Sequence, residues 1–176
     1  MLDEKTRQQF DTMVLTSQII LAAMAMGVVM FGGIVMFAIR RGEPPEGNIL
    51  SMLAVIVGGA NLVLCLVVPS FIAAANRRKI AAGLWASSDR QSKVPPTDFG
   101  KLVVVYQMKM IIGAALLEGA CFLALIAYMR ERQVSSLLVA AVLLAALLAH
   151  FPTRGRVEGW IEDQLRRVEE ERQFSP

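Results

Sequence analysis

The sequence has few of the residues from which proteins build reactive sites. Its 176 residues include one histidine and two cysteines, and no CxxC or HxxxH spacing occurs. A zinc site needs three or four such ligands at short spacing, so we expect no metal site. Cys65 and Cys121 both lie in apolar stretches, where a free thiol behaves as a small hydrophobic side chain. We therefore expect no disulfide framework either.

The motifs of nucleotide and nucleic-acid binding are also missing. Two glycine pairs, Gly32-Gly33 and Gly58-Gly59, lie inside apolar stretches, where they favour close helix packing over phosphate binding. The basic run Asn76-Arg77-Arg78-Lys79 is a common flank of a membrane helix. No nucleophile motif is present. These absences predict no enzyme activity, no cofactor and no nucleic-acid partner.

Hydrophobic residues, in contrast, are abundant and occur in long runs. They make up 55% of the chain, and its mean hydropathy is +0.52. Crossing a hydrocarbon core of about 30 Å takes about 20 consecutive apolar residues. Four runs have this character: Ile19–Ile39, Ile49–Pro69 with a possible extension to residue 75, Ile111–Met129 and Val134–Phe151. Because the turns after the first and third runs are short, we predict an all-α integral membrane bundle of four transmembrane helices in two antiparallel hairpins.

The positions of lysine and arginine predict the orientation of these helices. An even number of spans puts both termini on one side of the membrane. Thirteen of the 18 cationic residues then lie on the side of the termini and the central loop, four lie in the outer turns, and Lys109, just inside the third helix, is left uncounted. Short basic loops stay preferentially in the cytoplasm. We therefore expect the N-terminal segment 1–18, the basic loop with the start of the third helix (76–110) and the C-terminal tail to be cytoplasmic.

Several side chains near the ends of the runs suit the membrane interface. Tryptophan and tyrosine favour the headgroup level, and a lysine just inside a helix end extends its ammonium group toward the headgroups. The residues that we assign to the interface are Trp85, Tyr106, Lys109, His150 and Trp160 on the cytoplasmic side and Tyr128 on the other.

The tail, residues 153–176, predicts an amphipathic helix. Its apolar residues recur at helical spacing: Val157, Trp160, Ile161, Leu165 and Val168. Such a helix either lies on the bilayer surface or covers the cytoplasmic end of the bundle, or it docks a partner protein. The small-residue faces of the membrane helices offer a second route to self-association or to a membrane-protein partner. The lipid bilayer itself is the partner that the composition predicts directly.

One carboxylate, Glu118, interrupts the third run. A charged side chain at membrane depth costs about 3 kcal/mol on insertion scales, so we expect it to have a partner. At 1.5 Å per residue, Glu118 lies about 10 Å and Asn61 about 12 Å from the cytoplasmic ends of their runs. Asn61 also belongs to a stripe of small residues on its helix. The two residues are therefore the candidate polar or ion site, joined in this prediction by an interhelical hydrogen bond.

Two resemblances bear on function. The stretch IIGAALLEGACFLALIAY resembles the carboxylate-bearing helix of the rotary ATPase c subunit, in which a glutamate among small residues carries the transported ion. This resemblance implies that Glu118 carries a proton or cation. The whole chain resembles small, uncharacterised four-span bacterial membrane proteins, most clearly in LLEG and FPTRGRVEGW. That resemblance implies a multi-pass protein of the bacterial inner (cytoplasmic) membrane and no particular activity.

Two hypotheses of function follow from these observations. In the first, the chain is a structural or accessory membrane protein, and Glu118 with Asn61 fixes the register of the helices. In the second, Glu118 binds and releases a proton or cation during translocation. A proton path needs further ionisable groups at successive depths. His150 could be one of them, but it lies at the cytoplasmic end of the fourth run, where an interfacial histidine is the commoner case. We therefore prefer the structural hypothesis.

Overall fold

A computed structural model describes residues 4–39, 47–85 and 97–173 of the chain. These residues form five α-helices and no β-strand, which confirms the all-α prediction. In chain order the helices are α1 (Glu4–Ile39), α2 (Ile49–Ala81), α3 (Asp98–Glu131), α4 (Val134–Ala149) and α5 (Arg154–Gln173).

Local sequence signals explain the two helix ends that flank the central loop. α2 ends where Gly83 adopts a φ of +70°, and the N–H groups of Gly83 and Leu84 donate to carbonyl oxygens in the last turn of the helix. α3 begins after Thr97, whose hydroxyl oxygen accepts the backbone N–H of Gly100 at 3.3 Å. The rest of the central loop lies outside the described residues.

α1 and α2 extend well beyond their apolar runs. α1 already begins at Glu4, because buried side chains continue at helical spacing on the N-terminal side of Ile19. These side chains are Phe10, Val14 and Ser17. α2 continues through Pro69 to Ala81, although proline lacks the N–H that would bond to the preceding turn. Both helices therefore contribute residues outside the predicted membrane segments.

The chain divides into two compact units, each with its own core. The apolar unit comprises Ile19–Val68 and Ile111–Phe151, and the charged unit comprises the described residues of Met1–Gln18, Pro69–Met110 and Pro152–Pro176. Small residues and leucines dominate the core of the apolar unit, which includes Leu21, Ala54, Ala114, Leu117, Cys121, Ala124 and Leu143. The core of the charged unit includes Phe10, Val14, Ile80, Leu102, Val105, Val157, Ile161 and Val168.

The apolar unit is hydrophobic outside as well as inside. Exposed apolar side chains on its helices include Met30, Ile34, Ile56, Val63 and Leu138. Soluble proteins rarely expose continuous apolar surface of this kind, whereas lipid tails match it. α1, α2 and α3 are each long and apolar enough to cross a membrane, and α4 with α5 gives a fourth candidate only as a pair that bends by 71°. These three or four helices indicate a membrane protein.

α5 packs within the charged unit. It buries Val157, Ile161 and Val168 in the core of that unit. Ion pairs join it to each of the other three helices: Arg154–Asp11 on α1 at 3.3 Å, Glu171–Arg77 on α2 at 2.9 Å and Arg172–Asp98 on α3 at 2.8 Å. Burial alone would raise the pKa of Asp98, but its hydrogen bonds with Lys101 and Arg172 hold that pKa below the ordinary value.

Candidate functional site

Glu118 lies where α3 contacts α1. A Cβ atom built on Gly27 would lie 3.8 Å from Oε1 of Glu118 and 3.9 Å from the ring of Phe122. Next to this contact, the rings of Phe31 and Phe122 meet edge to face with their centroids 5.4 Å apart. Both distances are ordinary van der Waals contacts, so the Glu118 carboxylate lies directly beside Gly27, between the two helices.

The Glu118 carboxylate is half-buried and has no hydrogen-bond or ion-pair partner among residues 4–39, 47–85 and 97–173. Its neighbours on α3 are small or apolar; Ala114 and Leu117 are completely buried. A carboxyl group in such a setting is a candidate for proton binding and equally for a passive place in a helix contact. The other polar groups of the apolar unit bear on the choice between these roles.

The expected hydrogen bond between Glu118 and Asn61 does not form. The Asn61 amide donates instead to the carbonyl oxygen of Val57 in its own helix, at 2.9 Å. At this level α2 packs against α4, because a Cβ on Gly58 would lie only 2.6 Å from Cγ1 of Val139. Gly58 and Asn61 are three residues apart and share a helix face. That face turns toward α4, whereas the face carrying Glu118 turns toward α1.

A carboxylate that sequence reasoning missed lies at the other end of the apolar unit. Glu131, the last residue of α3, accepts the backbone N–H groups of Leu50 and Ser51, each at 2.8 Å. These N–H groups belong to the first turn of α2, which has no acidic residue of its own. The carboxylate accepts hydrogen bonds from donors that a helix N-terminus leaves unpaired, and the positive end of the helix dipole stabilises its negative charge. Glu131 therefore ties α3 to α2.

Three of the interfacial residues form one cluster in the charged unit. The ring of Tyr106 meets that of Trp160 with centroids 5.2 Å apart, and Nζ of Lys109 lies 5.1 Å from the centroid of the Trp160 ring. Arg156 lies one turn before Trp160 on α5. Burial raises the pKa of the Tyr106 phenol, and the nearby charge of Arg156 opposes that rise. We call Tyr106, Lys109, Arg156 and Trp160 the Lys109 cluster.

The remaining interfacial candidates are engaged in local contacts. Nε1 of Trp85 donates to Oδ1 of Asn76 at 3.1 Å, which holds the indole beside α2. His150 caps the C-terminus of α4, and its Nδ1 lies 2.8 Å from the carbonyl oxygen of Ala146. Tyr128 packs against the core of the apolar unit. Each of these side chains thus has a contact within its own unit.

Both cysteines are buried and free. The thiol of Cys121 donates to the carbonyl oxygen of Ala140 at 3.3 Å, which joins α3 to α4. The thiol of Cys65 bonds within its own helix, to the carbonyl oxygen of Leu62 at 3.1 Å. Within the described ranges, no group of three His, Cys, Asp or Glu residues is placed to hold a metal ion.

Comparison with known proteins assigns no family. The chain matches no protein-family model, no curated protein and no solved structure. The implied relation to the rotary ATPase c subunit therefore remains an expectation, and the proposals below rest on geometry and charge alone.

Proposed function

We propose that the chain is a four-span membrane protein with a structural or accessory role. The exposed apolar side chains of the apolar unit suit lipid, and the exposed ion pairs of the charged unit suit water. α4 contains 16 helical residues, or about 24 Å at 1.5 Å per residue, so its flanking residues complete the fourth span. The excess of cations in the charged unit favours a cytoplasmic location for that unit and for both termini in a bacterial inner membrane.

The isolation of Glu118 is the observation that favours a structural role. Proton passage through a membrane needs ionisable groups or water at successive depths. Glu118 is the only Asp, Glu, Lys or Arg in the four apolar runs. Asn61, the other polar side chain expected at its depth, donates to its own helix. Glu118 therefore lies beside Gly27, and no second carboxylate, lysine or arginine among the described residues pairs with it to receive a proton.

The charged unit supplies the accessory part of the proposal. The apolar face of α5 is already buried against its own chain, so a protein partner would meet the opposite face of the helix. That exposed face carries charges of both signs, among them Glu162, Arg166, Arg167, Glu169 and Glu170. A face of this kind recognises a partner by complementary charge, which governs specificity and association rate more than affinity.

Proton or cation translocation is the second candidate function, because the half-buried carboxylate of Glu118 lacks a partner within the described part of the chain. Ion flux in liposomes separates the two functions. We expect no flux for the wild type or for Glu118→Gln, because a structural role moves no ion. Glutamine keeps the size of the side chain but cannot ionise, so a flux lost in this variant would depend on the carboxylate. Gly119→Ala is the matched control, because nothing lies within 4 Å of an added Cβ there.

Stability measurements on the same variants complete the test. Glu118→Leu and Asn61→Leu should act independently, with a coupling below about 0.5 kcal/mol in a double-mutant cycle, because their helix faces point to different neighbours. Flux that is present in the wild type and in Gly119→Ala but absent in Glu118→Gln would overturn the structural role. A strong coupling between Glu118 and Asn61 would show that the two side chains do meet in the membrane.

A further inference from the structure

The Lys109 cluster contains a cation that has no ion-pair partner in the part of the chain that the structure describes. Among the described residues, no carboxylate lies within ion-pair distance of Lys109, and its recorded contact is with the Trp160 ring. Other cations of the charged unit do have carboxylate partners. The pairs are Arg77–Glu171, Lys101–Asp98, Arg154–Asp11, Arg154–Glu158, Arg166–Asp163, Arg167–Asp163 and Arg172–Asp98. Lys109 is thus a half-buried ammonium group that still lacks an anion.

The cluster belongs to the charged unit, and two of its residues are close in sequence to points where the chain leaves or re-enters that unit. α3 passes from the charged unit to the apolar unit after Met110, one residue beyond Lys109. The chain returns to the charged unit at Pro152, four residues before Arg156. Lys109 is thus two residues before Ile111, the first residue of the third apolar run, and Arg156 is five residues after Phe151, the last residue of the fourth. In a membrane protein the ends of apolar runs lie near the level of the phosphate headgroups.

The aromatic rings add a second feature to the site. The Trp160 ring lies under the ammonium group of Lys109 and meets the ring of Tyr106 in an edge-to-face contact. Tryptophan and tyrosine have an apolar body and a polar N–H or O–H group, which suits the boundary between acyl chains and headgroups. The rings also fix the position of the flexible lysine side chain, so it loses less entropy when it binds a ligand.

We propose that the Lys109 cluster binds the phosphodiester group of an anionic phospholipid. The proposal rests on the membrane location proposed above and deepens it, because it assigns a specific lipid class to one place on the protein. The Lys109 ammonium group donates to a phosphate oxygen, Arg156 donates to a second oxygen or to the headgroup, and the aromatic rings contact the glycerol and the first carbons of the acyl chain.

An anionic lipid fits this cluster better than a zwitterionic lipid or free phosphate. A zwitterionic headgroup brings its own cation, which two basic side chains would repel. Free phosphate would use the two cations but would gain nothing from the apolar surfaces of Tyr106 and Trp160. A phosphatidylglycerol molecule uses both parts of the cluster, because its phosphate carries net negative charge and its glycerol and first acyl carbons contact the aromatic rings.

Native mass spectrometry of the full-length, detergent-purified protein tests the proposal. The protein is mixed with phosphatidylglycerol or phosphatidylcholine of matched acyl chains, and the fraction that retains lipid is measured. We expect the wild type to retain phosphatidylglycerol preferentially. Lys109→Gln and Arg156→Gln should each weaken retention by about tenfold, the effect of losing one charge-assisted hydrogen bond. Arg166→Gln is the matched control, because Arg166 is on α5 but pairs with Asp163 at 2.8 Å.

Further measurements separate the possible causes of failure. Thermal melting must show that Lys109→Gln is folded, and the exposed Arg156→Gln variant gives the same test without altering a half-buried side chain. Equal retention of the two lipids, or equal retention by the wild type and both variants, would refute the lipid site. Displacement of the lipid by excess inorganic phosphate would assign the cluster to free phosphate instead and would also refute it. Flotation with liposomes tests the membrane location separately. A protein that floats but shows no lipid preference would refute the lipid site and leave the membrane location intact.

Discussion

Gly58 is the glycine at which an added methyl group should destabilise the apolar unit most. In Gly58→Ala the new methyl group would lie 2.6 Å from Cγ1 of Val139 and 3.4 Å from Cδ1 of Leu143. The first distance is far below van der Waals contact, and a valine side chain is too short to move aside. Overpacking of this kind costs about 1–3 kcal/mol of unfolding free energy. Alanine gains back up to about 1 kcal/mol because it favours helix more than glycine does.

Gly59→Ala provides a control at the next residue. Nothing lies within 4 Å of an added Cβ at Gly59, so this variant has the gain in helix propensity without the clash. The two variants should therefore differ by about 1–3 kcal/mol, measured as free energies of unfolding in mixed micelles. Combining Gly58→Ala with Val139→Ala should recover part of the loss, since the clashing methyl group is then gone. Equal stability of Gly58→Ala and Gly59→Ala would show that α2 does not pack on α4 at this level.

Two further predictions concern α5 and the membrane topology. Ile161→Ala should lower the unfolding free energy by about 2–5 kcal/mol, because Ile161 is 0% exposed in the core of the charged unit. Glu162→Ala, at the neighbouring exposed position, should change the unfolding free energy little. Similar melting temperatures for the two variants would mean that α5 is not packed as described. In a background without the two native cysteines, Gln133→Cys should react with a membrane-impermeant maleimide on intact cells and Gln173→Cys should not, and labelling of Gln173→Cys from outside would reverse the proposed orientation.

Hydropathy is sufficient to predict the helical class of the chain, and local signals predict some helix ends. In a membrane helix the side chains that face lipid and most of those that face other helices are apolar. Long apolar runs therefore identify candidate membrane helices without any knowledge of which helices they contact. Local chemistry also allows Thr97 or Asp98 to cap α3, and in the structure Thr97 does so. The extension of α1 to Glu4 is harder to see, because polar residues separate Phe10, Val14 and Ser17 and only their spacing shows a buried face.

The arrangement around Glu118 could not be predicted, because sequence gives depth along a helix but not the neighbour that a face meets. Glu118 and Asn61 have similar expected depths, yet the faces that carry them turn toward α1 and α4. Which helix a face meets depends on close approaches such as that of Gly58 to Val139, and these involve residues that are far apart in the chain. The hydrogen bonds that Glu131 accepts at the start of α2 could not be predicted for the same reason, since their donors are about 80 residues away in the chain. A small residue marks where another helix can approach, but only the packed structure shows which helix does so.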